Sequence, residues 1–145
     1  MSNFFKVSEA GSIALHAMIL LAVHPARLIS TKEIAESFKI SEAHLAKVLN
    51  RLVKTGLVTA TRGPSGGYKL NRPVDDISLK EIYETIEGNK KENKCMFDIP
   101  LCDGSGCSLG DFFSKESNIV EEKLSHTKLS DIILRPHIFK DINNM

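Results

Sequence analysis

The chain has 145 residues, of which 42% are apolar and 26% charged. A chain of that length buries ~68–70% of its unfolded surface around one core, and this balance excludes a wholly disordered polypeptide. Nineteen basic against eighteen acidic side chains leave a formal charge of +1, so no whole-molecule field points to nucleic acid, a membrane or an acidic substrate, and any such signal must be local.

The longest charge-free stretch, Ala10 to Ala26, covers 17 positions and contains His16, His24 and Pro25, which is short of a spanning helix. Lys6 ahead of this apolar run has the outline of a secretory signal, but Glu9 and His16 interrupt the pattern. No membrane association is expected, and the chain is expected in the cytoplasm. The three cysteines all fall between Cys95 and Cys107, an odd number spaced poorly for stapling a secreted fold, so they point to a cytosolic metal or redox site.

In chain order, Ser8 to Val23 reads as a first helix with apolar surface nearly all round, through Ile13, Ala17, Leu20 and Leu21, which places it centrally or against a partner. Ser30-Thr-Lys-Glu33 is a capping box opening a short second helix with Ile34, Ala35 and Phe38 inward. After a tight connection at Lys39 and Ile40, Ser41 caps a third helix whose Leu45, Val48, Leu49, Leu52 and Val53 follow helical spacing, and Gly56 ends it. Leu57 to Thr61 and Tyr68 to Leu70 form a small hairpin around Arg-Gly-Pro-Ser-Gly-Gly. Ser78-Leu-Lys-Glu81 is a second capping box, opening a helix closed by Gly88. From Ser108 onward, Leu109, Phe112, Phe113, Ile119, Val120 and Leu124 recur at three- and four-residue steps, a long amphipathic helix. A short terminal helix and a fraying tail complete the chain.

Two short helices joined by a tight turn, the second with a small and polar outer face, followed by a Gly-rich hairpin, predict a winged helix-turn-helix. Between Lys39 and Arg72 stand Lys39, Lys47, Arg51, Lys54, Arg62, Lys69 and Arg72 against Glu42 alone, a local charge of +6. The free N-terminus of the third helix favours phosphate, and Ala43, His44 and Lys47 on its first turns are placed to meet base edges in a major groove. Arg51 and Lys54 are expected on phosphate, while Arg62 in the wing reaches a phosphate or a narrow minor groove beside glycines that permit close backbone approach. Thr31, Ser41, Asn50, Ser65, Gly66, Gly67 and Tyr68 complete the expected DNA-binding set, with Tyr68 packing the wing in place. Each feature alone fits a solvated helix face or an ordinary turn; their agreement across levels is what carries the DNA-binding reading.

Six residues separate Cys95 from Cys102 and four separate Cys102 from Cys107, in a loop whose glycines let the chain curl. Zinc sites more usually pair cysteines as Cys-x-x-Cys with a fourth ligand nearby. Iron–sulfur clusters accept thiolates on looser loops, three of which leave one iron position for another ligand. A cluster, a zinc ion and plain or redox-active thiols all remain open from spacing alone. No nucleophile–base constellation or substrate motif appears, so the chain is not expected to be an enzyme.

Nearly the whole chain resembles the Rrf-type winged-helix regulators, the family of IscR, NsrR, RirA and CymR. Leu52 to Leu70 is similar to the family's recognition-helix end and its Arg-Gly-x-x-Gly-Gly-Tyr wing, and Ile13 to Met18 to its opening helix. The resemblance implies a mainly α fold with a small β-wing: a winged helix-turn-helix domain over residues 1–88, a cysteine cluster loop over 89–107, a dimerisation helix and short terminal helix over 108–135, and a tail over 136–145. It implies a homodimer on double-stranded DNA with a partly palindromic operator, and a two-iron or four-iron iron–sulfur cluster held by Cys95, Cys102 and Cys107. IscR-like members complete the cluster with a histidine where this chain has Gly110. NsrR-like members use an acidic residue of the partner's opening helix, and the matching position here is Ser12, with Glu9 and His16 one turn to either side and Asp111 as a local alternative. The function so implied is a transcriptional regulator, a repressor by expectation, whose cluster senses nitric oxide, redox state or iron status. The alternatives are a regulator of the same family that binds no cluster and senses thiols or a partner protein, and an iron–sulfur electron carrier or enzyme using a winged helix as a contact domain.

Overall fold

A computed structural model describes residues 6–89, 95–97, 99–103 and 105–134. Six helices and one hairpin follow in order: α1 (Glu9–Val23), α2 (Thr31–Phe38), α3 (Glu42–Lys54), β1 (Val58–Thr61), β2 (Gly67–Leu70), a 3-10 turn (Val74–Asp76), α4 (Leu79–Glu87), α5 (Ser108–His126) and α6 (Leu129–Ile133). This is the mainly helical winged fold that the sequence predicts.

The fold is arranged around α1. Its residues Ile13, Ala14, Ala17, Met18, Ile19, Leu20, Leu21 and Ala22 are all buried, and α3, α4, α6 and β2 pack against it. Ser8 caps it, its Oγ accepting from the Gly11 amide at 3.0 Å. Glu87, the last residue of α4, reaches the same end and accepts from the Ser8 amide at 3.1 Å and from the Ser8 hydroxyl. A carboxylate there meets the positive end of the α1 dipole. A Cβ on Gly11 would come 2.5 Å from Glu87 Oε1, so a glycine is what admits the carboxylate.

Both predicted capping boxes form. Ser30 Oγ accepts from the Glu33 amide at 3.2 Å while Glu33 accepts from the Ser30 amide at 2.8 Å, and Ser78 with Glu81 repeats the pattern at 3.2 and 3.0 Å. Between α2 and α3 the chain turns at Lys39, a non-glycine in the left-handed region at φ 56°. Ser41 then caps α3 by accepting from the His44 amide at 3.1 Å. Leu45, Val48, Leu49 and Leu52 face the core, Val53 packs at its edge, and Gly56, at φ 77°, releases the chain into the hairpin.

The hairpin pairs antiparallel with Val58 opposite Leu70 and Thr61 opposite Gly67. Ile29, just ahead of the first capping box, adds a bridge to Tyr68, with N–H···O distances of 2.9 and 3.1 Å. That pairing is not visible in the sequence. It explains Gly67, because a Cβ there would lie 2.8 Å from the Ile29 backbone.

The chain end returns to the same core. The Leu79 amide donates to Thr127 O at 2.9 Å and the Leu129 amide to Ile77 O at 2.8 Å, and Leu129 is fully buried. Thus α6, adjacent in sequence to the long helix, packs on α1 and beside the 3-10 turn. In contrast, among the described residues α5 packs chiefly against α4, held by Lys80 between Glu84 at 3.5 Å and Glu121 at 2.8 Å. Leu109, Phe112, Phe113 and Ile119 on α5 are exposed, Leu109 at 64%.

Two expectations follow. Leu129→Ala should cost about 2–5 kcal/mol of global stability in chemical denaturation, as a single transition; a loss under ~0.5 kcal/mol would place α6 outside the core. The second concerns pH. The Ser30 backbone amide, the Ser30 hydroxyl and Arg27 together hold the Glu33 carboxyl below its ordinary range. At Glu81 burial pushes upward, but hydrogen bonds from Arg72 and Ser78 outweigh it and the carboxyl is also lowered. Depressed folded-state values give stabilisation that is present above the ordinary glutamate value of ~4.3 and is lost as pH falls through the folded ones. The melting temperature should therefore decline in acid, and Ser30→Ala and Ser78→Ala should each lower stability at neutral pH by about 1 kcal/mol while flattening the acid decline only in part, because the backbone amides at both positions still reach their carboxylates.

Candidate nucleic-acid interface and cysteine loop

The outer face of α3 is set by what the inner face buries. With Leu45, Val48, Leu49 and Leu52 turned to the core, Glu42, Ala43, Lys47, Asn50, Arg51 and Lys54 are exposed and His44 is half-buried. Ser41 serves the cap, and Thr31, half-buried, opens α2, which packs on α3. Arg62, Gly63, Pro64 and Ser65 form the exposed wing tip. Tyr68 packs against the core edge, as expected.

Not every basic side chain in the +6 window is free. Arg72 donates to Glu81 Oε1 at 2.7 Å and to Asp76 O at 2.6 Å, tying the end of the wing to α4. Arg51 Nη2 donates to the Ile86 carbonyl at 2.8 Å, a contact inside the protein where a phosphate was expected. Lys39, Lys47, Lys54, Arg62 and Lys69 are exposed and have no ion-pair partner among the described residues. These five, with the N-terminus of α3, make the electropositive surface.

The wing glycines have internal reasons. Gly67 is buried against Ile29, and a Cβ at Gly66 would be driven into the Thr61 carbonyl. Their place in the Arg-Gly-x-x-Gly-Gly-Tyr motif has a reason within the protein, closure of the hairpin at Gly66 and its bridge to Ile29 at Gly67, beside the close approach to nucleic acid that the sequence suggested.

The cysteines lie between α4 and α5 outside any disulfide, Cys95 and Cys107 half-buried and Cys102 exposed. Cys107 caps α5, its Sγ accepting from the Gly110 amide at 3.3 Å. Asp103 accepts from the Ser105 hydroxyl at 2.7 Å and amide at 2.9 Å, which lowers its carboxyl, and Gly106 turns the chain at φ 72°. Met96, Phe97, Ile99 and Leu101 of this loop are exposed. Thiolates of this kind are the right donors for an iron–sulfur cluster. Among the described residues, however, no three Cys, His, Asp or Glu side chains come together to hold a metal ion.

Of the fourth-ligand candidates, Glu9, Ser12 and His16 share one side of α1 and line an open cavity of about 320 Å³ with Ile13, Phe38 and Ile40. His16 Nδ1 donates to Ser12 O at 2.6 Å, and its ring stands edge-on to Phe38. Asp111 is exposed on the first turn of α5, one turn beyond Cys107. Sequence reasoning missed Ile29 and Glu87, which hold the wing and α1 in place; only the position of Ile29 ahead of a capping box could have hinted at either.

The Rrf2 family model, described as iron-dependent transcriptional regulators, matches residues 7–135. The structure is similar to that of CymR, the global cysteine regulator of B. subtilis, with a TM-score of 0.76 and 27% identity over 90% of this chain and 98% of that one. It is also similar to T. potens IscR, with a TM-score of 0.70 and 31% identity over 90% and 88%. The regulator IscR of Cereibacter sphaeroides is 39% identical over 85 residues, 57% of this chain and 55% of that protein. Among the described residues no helix is long and apolar enough to cross a membrane. A family match over nearly the full length, on a winged fold whose α3 presents unpaired cations, identifies this chain as a member of the Rrf2 family of transcriptional regulators.

Proposed function

We propose that the chain is a cytoplasmic, homodimeric repressor that binds a partly palindromic DNA operator through α3 and the wing, under control of an iron–sulfur cluster on Cys95, Cys102 and Cys107. The observation that carries the DNA reading is the exposed, unpaired pair Lys47 and Lys54 along the outer face of α3, with Arg62 exposed at the wing tip. Ala43, His44 and Lys47 read base edges, while Lys54 and Arg62 meet backbone. The second protomer covers the apolar side of α5, where Leu109, Phe112, Phe113 and Ile119 form a stripe with no cover among the described residues of one chain. Dimerisation in turn sets the two recognition helices ~34 Å apart, the spacing of half-sites one turn apart.

The domains of this reading are the winged unit of residues 1–88, the loop 89–107 and the α5 region from 108. A bound cluster would supply a redox- and nitric-oxide-reactive centre. The protein contributes three thiolates on one glycine-containing loop and leaves one iron position to Glu9, Ser12 or His16 of the partner or to Asp111. Gathering the thiols requires the loop to rearrange from the arrangement described above, and that rearrangement moves the connection between α4 and α5. Nitric oxide, redox state and iron status are the signals this chemistry can report.

A second reading is favoured by the ungathered thiols themselves. With Cys107 engaged as a helix cap and Cys102 exposed, the same loop serves as a cluster-free thiol sensor or a partner-protein contact.

Protein purified without oxygen should be brown with iron and sulfide in matched amounts, and Cys102→Ala should be colourless; a colourless, iron-free wild type would select the thiol reading. Binding to duplex DNA should weaken with salt with a log–log slope of about −3 to −4 if Lys54 and Arg62 of both protomers neutralise four phosphates, and a flat response would defeat the regulator reading. Lys47→Ala should change base preference by about 1–3 kcal/mol at one position of each half-site, measured by binding to a permuted set of duplexes. A uniform loss across all sequences would mean that Lys47 does not read bases.

A further inference from the structure

We propose that Arg51 is a positioning residue that couples the cysteine loop to the recognition helix. The inference rests on the regulatory reading above and assigns the path by which the loop is felt at DNA.

An α-helix leaves its last carbonyls without partners. At the end of α4 the Gly88 amide takes Glu84 O at 2.9 Å, and the Ile86 carbonyl is met by the Arg51 guanidinium at 2.8 Å, partly buried. This is a charge-assisted bond to the negative end of a helix, from a side chain in the last turn of α3. Beside it the Thr85 hydroxyl lies 3.4 Å from that of Thr55, the residue that closes α3. The next residue, Glu87, holds the start of α1 through Ser8. Gly88 then turns at φ 80° and the chain leaves for the cysteine loop.

The final turn of α4 thus fastens α3 and α1 at once, and it is the turn that the cysteine loop pulls on. Terminal turns are the first part of a helix to open. When the loop's demand unwinds this turn, the Ile86 carbonyl leaves Arg51 and the C-terminal end of α3 loses its tie to α4, keeping only the burial of Leu52 and Val53. When the turn is intact, α3 is held at the angle needed for the groove. Lys54, one turn on and exposed, remains available for the backbone contact that the charge pattern calls for.

The two roles for Arg51 make opposite demands on a binding experiment. Wild type, Arg51→Gln and Lys54→Gln would be titrated onto a duplex selected from random sequence for binding wild-type protein with reduced thiols. Each would be measured over a salt series, with thiols free and after alkylation by iodoacetamide. Positioning predicts that alkylation changes wild-type affinity by about fivefold or more, that Arg51→Gln shrinks this ratio to under about twofold, and that its salt slope stays at the wild-type value. Lys54→Gln should keep the ratio and lose about one unit of slope per protomer contact. If Arg51→Gln keeps the ratio and loses slope instead, Arg51 is a phosphate contact and the coupling is overturned. A wild type indifferent to alkylation, and equally to cluster loading, overturns the regulatory reading and the coupling with it, which is a different pattern. Amide exchange on wild type needs no variant: alkylation should speed exchange in residues 52–55 at least several-fold, and unchanged protection there overturns the proposal.

Discussion

The burial of α1 is the constraint from which the rest of the molecule follows. A helix with Ile13, Ala14, Ala17, Met18, Leu20 and Leu21 around most of its circumference leaves only the side of Glu9, Ser12 and His16 towards water, so the rest must be covered by other elements. The cover comes from α3, α4, α6 and the second wing strand, drawn from the middle and the far end of the chain. Apolar burial is worth roughly 25 cal/mol per Å², and no other element in the fold is so completely enclosed. The short helices α2, α4 and α6 would be marginal alone; α4 and α6 persist because α1 gives them a surface to cover, and α2 because it packs on α3.

That arrangement also decides which surfaces remain for function. Once α3 commits its leucines and valine to the core, its charged residues are outside by the 100° rotation per residue of a helix. Likewise, α5 can spend only one flank on α4, through Lys80, Val120 and Leu124, and its other flank stays apolar and open. One surface carries exposed cations and the other exposed apolar side chains. They are products of the same packing problem.

Much of this is legible in the sequence because it is local. The capping boxes at Ser30 and Ser78, the turn at Lys39 and the stop at Gly56 are each set by neighbours within four residues. What is not legible depends on residues distant in sequence. Nothing near Ile29 announces that it will pair with Tyr68, and nothing near Leu129 announces that it will be fully enclosed. The charge window shows the same limit: a count of basic residues treats Arg51 and Lys54 alike, yet tertiary packing gives Arg51 an internal carbonyl and leaves Lys54 in solvent. The cysteine spacing shows that three thiols share a loop, but their mutual placement depends on long-range packing and on whatever partner draws them together.

The bridge between Ser78 and Lys128 gives the chain a topological property of its own. Everything between those residues, α4, the cysteine loop and α5, is an excursion whose two ends are already stapled side by side. For such a closed excursion the entropic cost depends only logarithmically on its length, with each doubling of a flexible segment costing ~0.6 kcal/mol. The segment carrying the thiols can therefore gain or lose residues with little effect on whether the remaining domain folds. A chain built this way can vary the chemistry of one loop by rewriting it, while the winged domain keeps its shape.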